Sequence, residues 1–412
     1  MNDINIRSIT YSINLEKIKR ASYQSAIKKN IKSLKSKFKE ENIFIRTIRL
    51  NTISIKQFPK DDKIFIEEIS ILSKFIKSIN IRWFNISFNI IEMSIKDQKR
   101  IANLAYHIVK KFENSFVNFI VAKDNKVSPS AALITAEVII NISKISNNGF
   151  DNFRIGVSLN PSLYTPFFPF SYSDSDHSFS IAMEITERFL TIVKQNNDLE
   201  TINKRVNKEI GEELKRINSI AKKFDSSGYK GIDASLAPFP DKFVSVVDIL
   251  HKLGLDEIGA SGSFFYTSVL TDMIKNMLKE NNIKSVGFNG VMYSLLEDHL
   301  LCEANNRKMM SINQFIAYST MCGCGLDMVP VPGNILIEEL ASIILDTAAI
   351  SLKLDKPLGV RVLPIPNKDT NEYTQFDMDF LTNTRVMNLK NMHCEDKLFI
   401  NSKFEYQNKG HH

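Results

Sequence analysis

Short runs rich in isoleucine and valine alternate with longer helix-patterned stretches along nearly the whole chain, and this rhythm restricts the fold more than any other feature. Asn5–Ile13 reads as a strand by its isoleucine alternation, and a lysine-rich helix of about residues 15–41 follows. Ile43–Ser54 reads as the next strand, then a helix near Phe65–Ile79, then the strand Trp83–Ile91. Helix Asp97–Phe112, strand Ser115–Ala122, helix Ser128–Ile145 and strand Phe153–Asn160 continue the alternation. A long charged helix is expected over Phe179–Phe224, and Gly231–Phe239 as a strand or its mouth. The remainder reads as mostly helical, broken by Val286–Met292 and Lys356–Ile365. Such a β-α rhythm implies an α/β fold, a largely parallel sheet with helices outside, and polar loops at strand ends that build the site. No linker or internal repeat interrupts it, so one domain over residues 1–409 is expected. Gly410-His411-His412 reads as the start of an expression tag.

Charge and cysteine usage narrow the function classes. The net charge is +7, and much of the excess lies between Lys17 and Lys39. Those lysines read as the wet face of an amphipathic helix, because no basic patch is interleaved with aromatics and no zinc-finger spacing occurs. Nucleic-acid binding is therefore not expected. Four unevenly spaced cysteines make no disulfide framework, and neither a signal peptide nor a long apolar span is present. A cytoplasmic location is expected, with no membrane contact.

Cys322-Gly-Cys-Gly-Leu-Asp-Met-Val-Pro-Val-Pro-Gly333 carries the densest chemistry. Two thiols, a carboxylate, glycines and prolines in twelve residues read as a stiff loop between helices that begin near Ser311 and Ile335. A reactive or ligand-binding loop and a tightly packed turn both fit. Asp233 and Ser235 share one face of a strand end and read as substrate contacts, or as a cap and turn. Gly259–Ser263 runs into a helix and offers an anion site at Ser261 and Ser263, unless a serine only caps the helix. In Glu297-Asp298-His299 the side chains diverge by about 100° on a helix, so they cannot share a metal, and Asp298 is the one expected to face a cavity. Asp174-Ser-Asp176-His177 follows an aromatic run and reads as a polar lid or a ligand set without EF-hand spacing. Arg361 is either an anion clamp or a partner for Asp355.

Several of these segments, in order, resemble one family. They are NIRSITYSI, IRTIRLNT, FRIGVSLN, PFFPFSYS, GIDASLAPFP, IGASGS, GFNGVM with LLEDHLL, YSTMCGCGLDMVPVPG and KPLGVRVLPIP. The family is domain of unknown function 711, also called uncharacterised protein family 0210. It is similar in fold to pyruvate formate-lyase, which implies an α/β barrel of about ten strands with the Cys322 loop inside. The glycyl radical of that fold is not implied here. The nearest string to its radical loop is Arg385-Val-Met-Asn388, and no glycine lies between Gly359 and Gly410. The chain also departs from the family pattern at Asn334, where an aspartate is usual, and at Cys324.

The resulting expectation is a non-radical enzyme acting on a small anionic or zwitterionic metabolite. Cys322 would be nucleophile or acid–base, Asp327 would orient it, and Asp233, Ser235, Ser261, Ser263, Arg361 and Asp298 would bind substrate in one cavity. The alternative is a metabolite-binding or regulatory protein without turnover, because the family resembles proteins found near small amino-acid-sensing regulators. A thiolate metal site at Cys322 and Cys324 lacks two further soft ligands beyond Cys302, Cys394 and the histidines, and the identity of any cofactor or metal is left open. The partners this reading allows are the small ligand, such a regulator, and a second copy of the chain in a homodimer.

Overall fold

The computed structural model describes residues 4–55, 61–224, 228–239, 244–389 and 404–406. Pro240, Cys394 and the 410–412 segment lie outside the described residues. The strands are β1 (Asn5–Ile13), β2 (Ile45–Thr52), β3 (Phe84–Asn89), β4 (Ser115–Lys123), β5 (Lys126–Val127), β6 (Ile155–Leu159), β7 (Ser178–Glu184), β8 (Tyr229–Asp233), β9 (Gly325–Pro332), β10 (Leu358–Ile365) and β11 (Phe404–Glu405). The helices are α1 (Ala21–Glu40), α2 (Asp62–Ser78), α3 (Ile95–Lys111), α4 (Pro129–Ser143), α5 (Thr186–Lys194), α6 (Leu199–Arg205), α7 (Gly211–Lys222), α8 (Val246–Lys252), α9 (Ser263–Glu280), α10 (His299–Asn306), α11 (Ile312–Tyr318) and α12 (Ile337–Lys353).

The strands form one mixed, mostly parallel sheet in the order β8-β7-β1-β2-β3-β4-β6-β10-β9. β1, β2, β3, β4 and β6 run parallel to one another. β7 is antiparallel to β1, and β10 is antiparallel to β6. β8 continues parallel to β7, and β9 parallel to β10. The segment 285–294 makes isolated parallel bridges to both ends of this order: Ser285 to Ile232 and Val291 to Leu236 on the β8 side, and Ser294 to Asp327 on β9.

Local sequence explains most elements. In α1, Tyr23, Ile27, Ile31, Leu34 and Phe38 are buried at three- and four-residue spacing, while the lysines between them face solvent or lie at its edge. Ser128 caps α4 by accepting from the Ala131 amide, and Pro129 sits where a missing N–H costs nothing. One apolar cluster runs from Ile4 to Met387.

Two sequence expectations are corrected. Residues 178–184 form β7 instead of opening a long helix, and all seven are buried. Phe179, Ile181 and Met183 alternate with small or polar residues as in a strand, but only Ile185 separates this run from the helical pattern of α5, which absorbed it. The run from Gly325 to Pro332 is likewise a strand, all eight residues buried, and not a loop. Its prolines are tolerated because β9 pairs along one side with β10 and on the other makes only the bridge at Asp327. Only Ser319–Cys324 connects α11 to it.

Candidate functional site

A cavity of about 70 Å³ lies at the face of the sheet where the parallel strands begin. Arg7 reaches it from β1, Arg49 from β2, Arg361 from β10 and Asp327 from β9, with Glu297 from the turn before α10. Trp83 and Phe116 supply aromatic wall, and Phe167, Phe168 and Phe170 descend into it from the loop between β6 and β7. Each guanidinium lies over one of these rings or a neighbour. Arg49 is 5.3 Å from the Phe168 centroid, Arg361 is 5.2 Å from Phe153, and Arg7 is 6.0 Å from Phe167. The volume suits a small ligand, since a single water needs about 10–15 Å³ on the same measure.

Charge distribution decides what such a ligand can be. Arg361 makes a two-pronged bond to Asp327, Nε to Oδ1 at 2.6 Å and Nη2 to Oδ2 at 2.9 Å. Glu297 stands 3.6 Å from the same guanidinium and accepts the Ser294 hydroxyl at 2.6 Å. Burial works against the Arg361 charge, but Asp327 and Glu297 outweigh it and hold its pKa above the ordinary value. Arg7 donates to the Pro238 carbonyl at 2.9 Å, and burial lowers its pKa. Arg49 makes no hydrogen bond among the described residues, and its Nε is sealed from solvent. Burial, then repulsion from Arg7, brings it down to about 10. Three guanidiniums and two carboxylates line the cavity, with no lysine or histidine among its described residues, so the lining carries a formal charge of +1.

The residues expected from sequence do not all converge there. Asp327 and Arg361 do, but Asp327 is bound to Arg361 and does not orient Cys322. Asp355, the other partner considered for Arg361, accepts from Asn160 instead at 2.9 Å. Asp233 and Ser235 brace the 287–290 segment. Asp233 accepts from the Ser235 hydroxyl at 2.6 Å and the Phe288 amide at 2.7 Å, and the Gly290 amide donates to Ser235 Oγ at 3.3 Å. Burial pushes the Asp233 carboxyl up. Gly287 has a φ of +80°, and a Cβ there would stand 2.2 Å from Asp233 Oδ2, so the brace requires glycine. Asp298 is also structural. It caps α10 through the Leu301 amide and holds Ser245 Oγ at 2.5 Å and the Val246 amide at 2.8 Å. Glu297 is the member of that triplet in the cavity, because residues 295–297 form a 3-10 turn before the helix. Ser263 closes its own loop on the Ala260 carbonyl at 2.7 Å, and Ser261 is exposed beside it. Asp176 accepts from Tyr23 and from Lys17 Nζ at 3.0 Å, and no group of three potential metal ligands gathers among the described residues.

Sequence reasoning passed over Arg7, Arg49, Glu297 and the three phenylalanines. The arginines had a usable signal: each sits inside an Ile-rich strand, where a cation needs a partner or a cavity.

Cys322 lies in a second pocket, of about 440 Å³, with Lys356, Phe288 and Asn289. A hydrogen bond from Cys324 and the nearby Lys356 ammonium pull the Cys322 thiol down despite its burial, whereas Cys324 is pushed up. Lys356 Nζ is fixed by the Ser319 and Thr320 carbonyls, each at 3.0 Å. Cys324 instead packs with Phe170, Phe288 and Met292. Iodoacetamide at pH 7 should therefore alkylate Cys322 well before Cys302, whose thiol burial pushes up. Lys356→Met should slow Cys322 alkylation by roughly tenfold. Peptide mass spectrometry checks both, and equal rates at the two cysteines would refute the assignment.

A family model described as uncharacterised ACR (DUF711) matches residues 1–383. Curated relatives are named UPF0210 proteins. The one from Pyrobaculum aerophilum is 33% identical over 147 residues, 35% of this chain and 32% of the relative. One from Clostridium perfringens is 30% identical over 165 residues, 40% of this chain and 36% of the relative. One from Oenococcus oeni is 32% identical over 145 residues, 35% of this chain and 32% of the relative. The matched stretch thus spans about a third of the length of these relatives. No helix among the described residues is long and apolar enough to cross a membrane.

Proposed function

The chain belongs to the uncharacterised DUF711 family, and from its central cavity we propose that it acts on a small anionic or zwitterionic metabolite without radical chemistry. The observation that carries this is Arg49, a guanidinium with no hydrogen-bonding partner among the described residues, facing a cavity whose formal charge is +1. Leaving its buried Nε–H unpaired costs free energy that one bound carboxylate would offset. Arg49 and Arg7 would hold the anion, the phenylalanines would exclude water, and Glu297 is the group able to take or give a proton. Arg361 is the anchor for Glu297 and Asp327.

The bridges from segment 285–294 to β8 and β9 support reading the sheet as a closed barrel of about ten strands. Two five-stranded parallel halves would then run opposite ways, as in pyruvate formate-lyase, with this cavity in the interior. A reading without turnover, as a metabolite-binding or regulatory protein beside a small amino-acid-sensing partner, is favoured by one fact. Cys322, the strongest nucleophile candidate, belongs to the other pocket, and Asp327 is committed to Arg361.

Trp83 is the chain's one tryptophan and lines the cavity, so its fluorescence reports occupancy. Acetate, glycine or phosphate, titrated at constant ionic strength, should give a saturable change for at least one of the three. Arg49→Met should abolish it. No saturable change with any of them, or an unchanged response in Arg49→Met, would overturn the reading.

A further inference from the structure

A second, larger crevice opens at the opposite ends of the parallel strands, and its chemistry is the reverse of the first. It measures about 780 Å³ and lies where β1, β2 and β3 end, bordered by Asn14, Ser54 and Asn89. In α/β folds, open sheets and barrels alike, the space beyond the carboxyl ends of the parallel strands is the usual ligand position. Four acids line it, Glu16, Glu68, Glu92 and Asp174, and no lysine, arginine or histidine is among its described lining residues. That is a formal −4 within a chain of net charge +7.

Glu68 is the informative member. It sits on the buried stripe of α2, between Phe65 and Leu72, and only 8% of it is exposed. It has no hydrogen bond or ion pair among the described residues, and apart from Ser73 the rest of that stripe is apolar: Phe65, Ile69, Leu72, Phe75 and Ile76. The three remaining acids stand at the exposed rim. Asp174 accepts the Tyr164 hydroxyl at 2.5 Å, and Glu92 is 3.1 Å from Lys126. Between base and rim the wall is apolar, with Leu15, Ile53, Ile55 and Met93.

We infer that this crevice binds an aliphatic diamine or polyamine. One ammonium would pair with Glu68 at the base, the methylenes would lie along the apolar wall, and a further ammonium would reach the acidic rim. Glu68 opens onto the crevice with no partner from the described residues, and a ligand cation is the group that would fill that place. The apolar wall favours an organic amine over a hydrated metal ion, and no group of three potential metal ligands gathers among the described residues.

Burial pushes the Glu68 carboxyl up, Lys19 opposes this, and Glu16 and Glu67 reinforce it. Glu92 and Asp174 face the same space from the other walls. A carboxyl raised on folding carries no penalty below its unfolded pKa and a growing one as pH climbs through the folded value. The ligand-free protein should therefore lose stability relative to Glu68→Gln as pH rises from about 4 toward neutrality.

The test titrates the full chain with cadaverine and with spermidine, by calorimetry and by thermal unfolding, against sodium and magnesium chloride at matched ionic strength. The expected result is saturable amine binding with a raised Tm. Affinity should fall roughly tenfold or more in Glu68→Gln and several-fold in Glu16→Gln, whose exposed site does not threaten the fold. Glu68→Gln should melt at or above the wild-type temperature at pH 8 without amine, and its response to small anions at Trp83 should be unchanged. No amine binding, binding undiminished in both variants, an equal response to magnesium, or a Glu68→Gln variant that is itself destabilised would each overturn the inference.

Discussion

Asp327→Ala should destabilise the protein by about 3–5 kcal/mol, because it leaves a buried guanidinium without its main partner. Arg361 and Asp327 have side chains only 5% and 2% exposed, and their two bonds use both carboxylate oxygens. Glu297, at 3.6 Å, is positioned to recover part of the loss, so the lower end of the range is expected. Replacing both partners, Asp327→Leu with Arg361→Met, should recover more than half of it, since a buried pair gains little net stability over apolar side chains of similar size. Urea unfolding of the two single variants and the double one measures this. Costs that simply add would mean that the two residues contribute independently. The pairing also depends on the backbone. Met328 has a φ of 53°, and the β9–β10 register shifts between Val360 and Val362, which brings Asp327 and Arg361 face to face across that shift.

Much of the architecture was legible before any coordinates, and the reason is the half-buried face. β1 to β4 and their helices alternate polar and apolar residues, because each early helix has one side in water. Among the elements misread, β7 alternates Phe179, Ile181 and Met183 with small or polar residues, but one residue later the helical pattern of α5 begins and masks it. In β9 the glycines and prolines imitate a loop, and only its place between β10 and the Ser294 bridge makes them acceptable.

The site was less legible because its parts lie far apart in the chain. Arg7, Arg49, Glu297 and Arg361 share one cavity across more than three hundred residues. A local reading weighs Asp233 and Ser235, or Cys322 and Asp327, as neighbours in sequence. Local polar clusters of that kind turned out to satisfy the backbone nearby: Asp233 serves the 287–290 segment and Asp298 serves α10 and the start of α8. The residues left without such duties, Arg49 and Glu68, are a cation inside a strand and a carboxylate on the buried stripe of a helix. A charge on a core-facing stripe or inside a strand, with no local partner, was thus the better guide to both pockets.

Phe170→Ala should cost about 3–5 kcal/mol, the range for removing a buried phenylalanine whose surroundings cannot collapse. The ring is 2% exposed and meets Phe288 edge-on at 5.9 Å. It occupies a slot that two adjacent strands open with glycines. A Cβ on Gly359 of β10 would stand 2.5 Å from the ring, and one on Gly156 of β6 would stand 2.8 Å from it. Gly359 and Arg361 lie on the same face of β10, so the ring also fixes how the β6–β7 loop roofs the arginine cavity. Gly359→Ala alone should therefore cost about 1–3 kcal/mol by overpacking. In the Phe170→Ala background the added methyl enters vacated space, and most of that cost should vanish, giving a coupling of roughly 1 kcal/mol or more. A double-mutant cycle in urea measures it, and strict additivity would mean that the loop is not seated through this contact. The same displacement should change the Trp83 response to small anions, because Phe170 and Trp83 line one cavity.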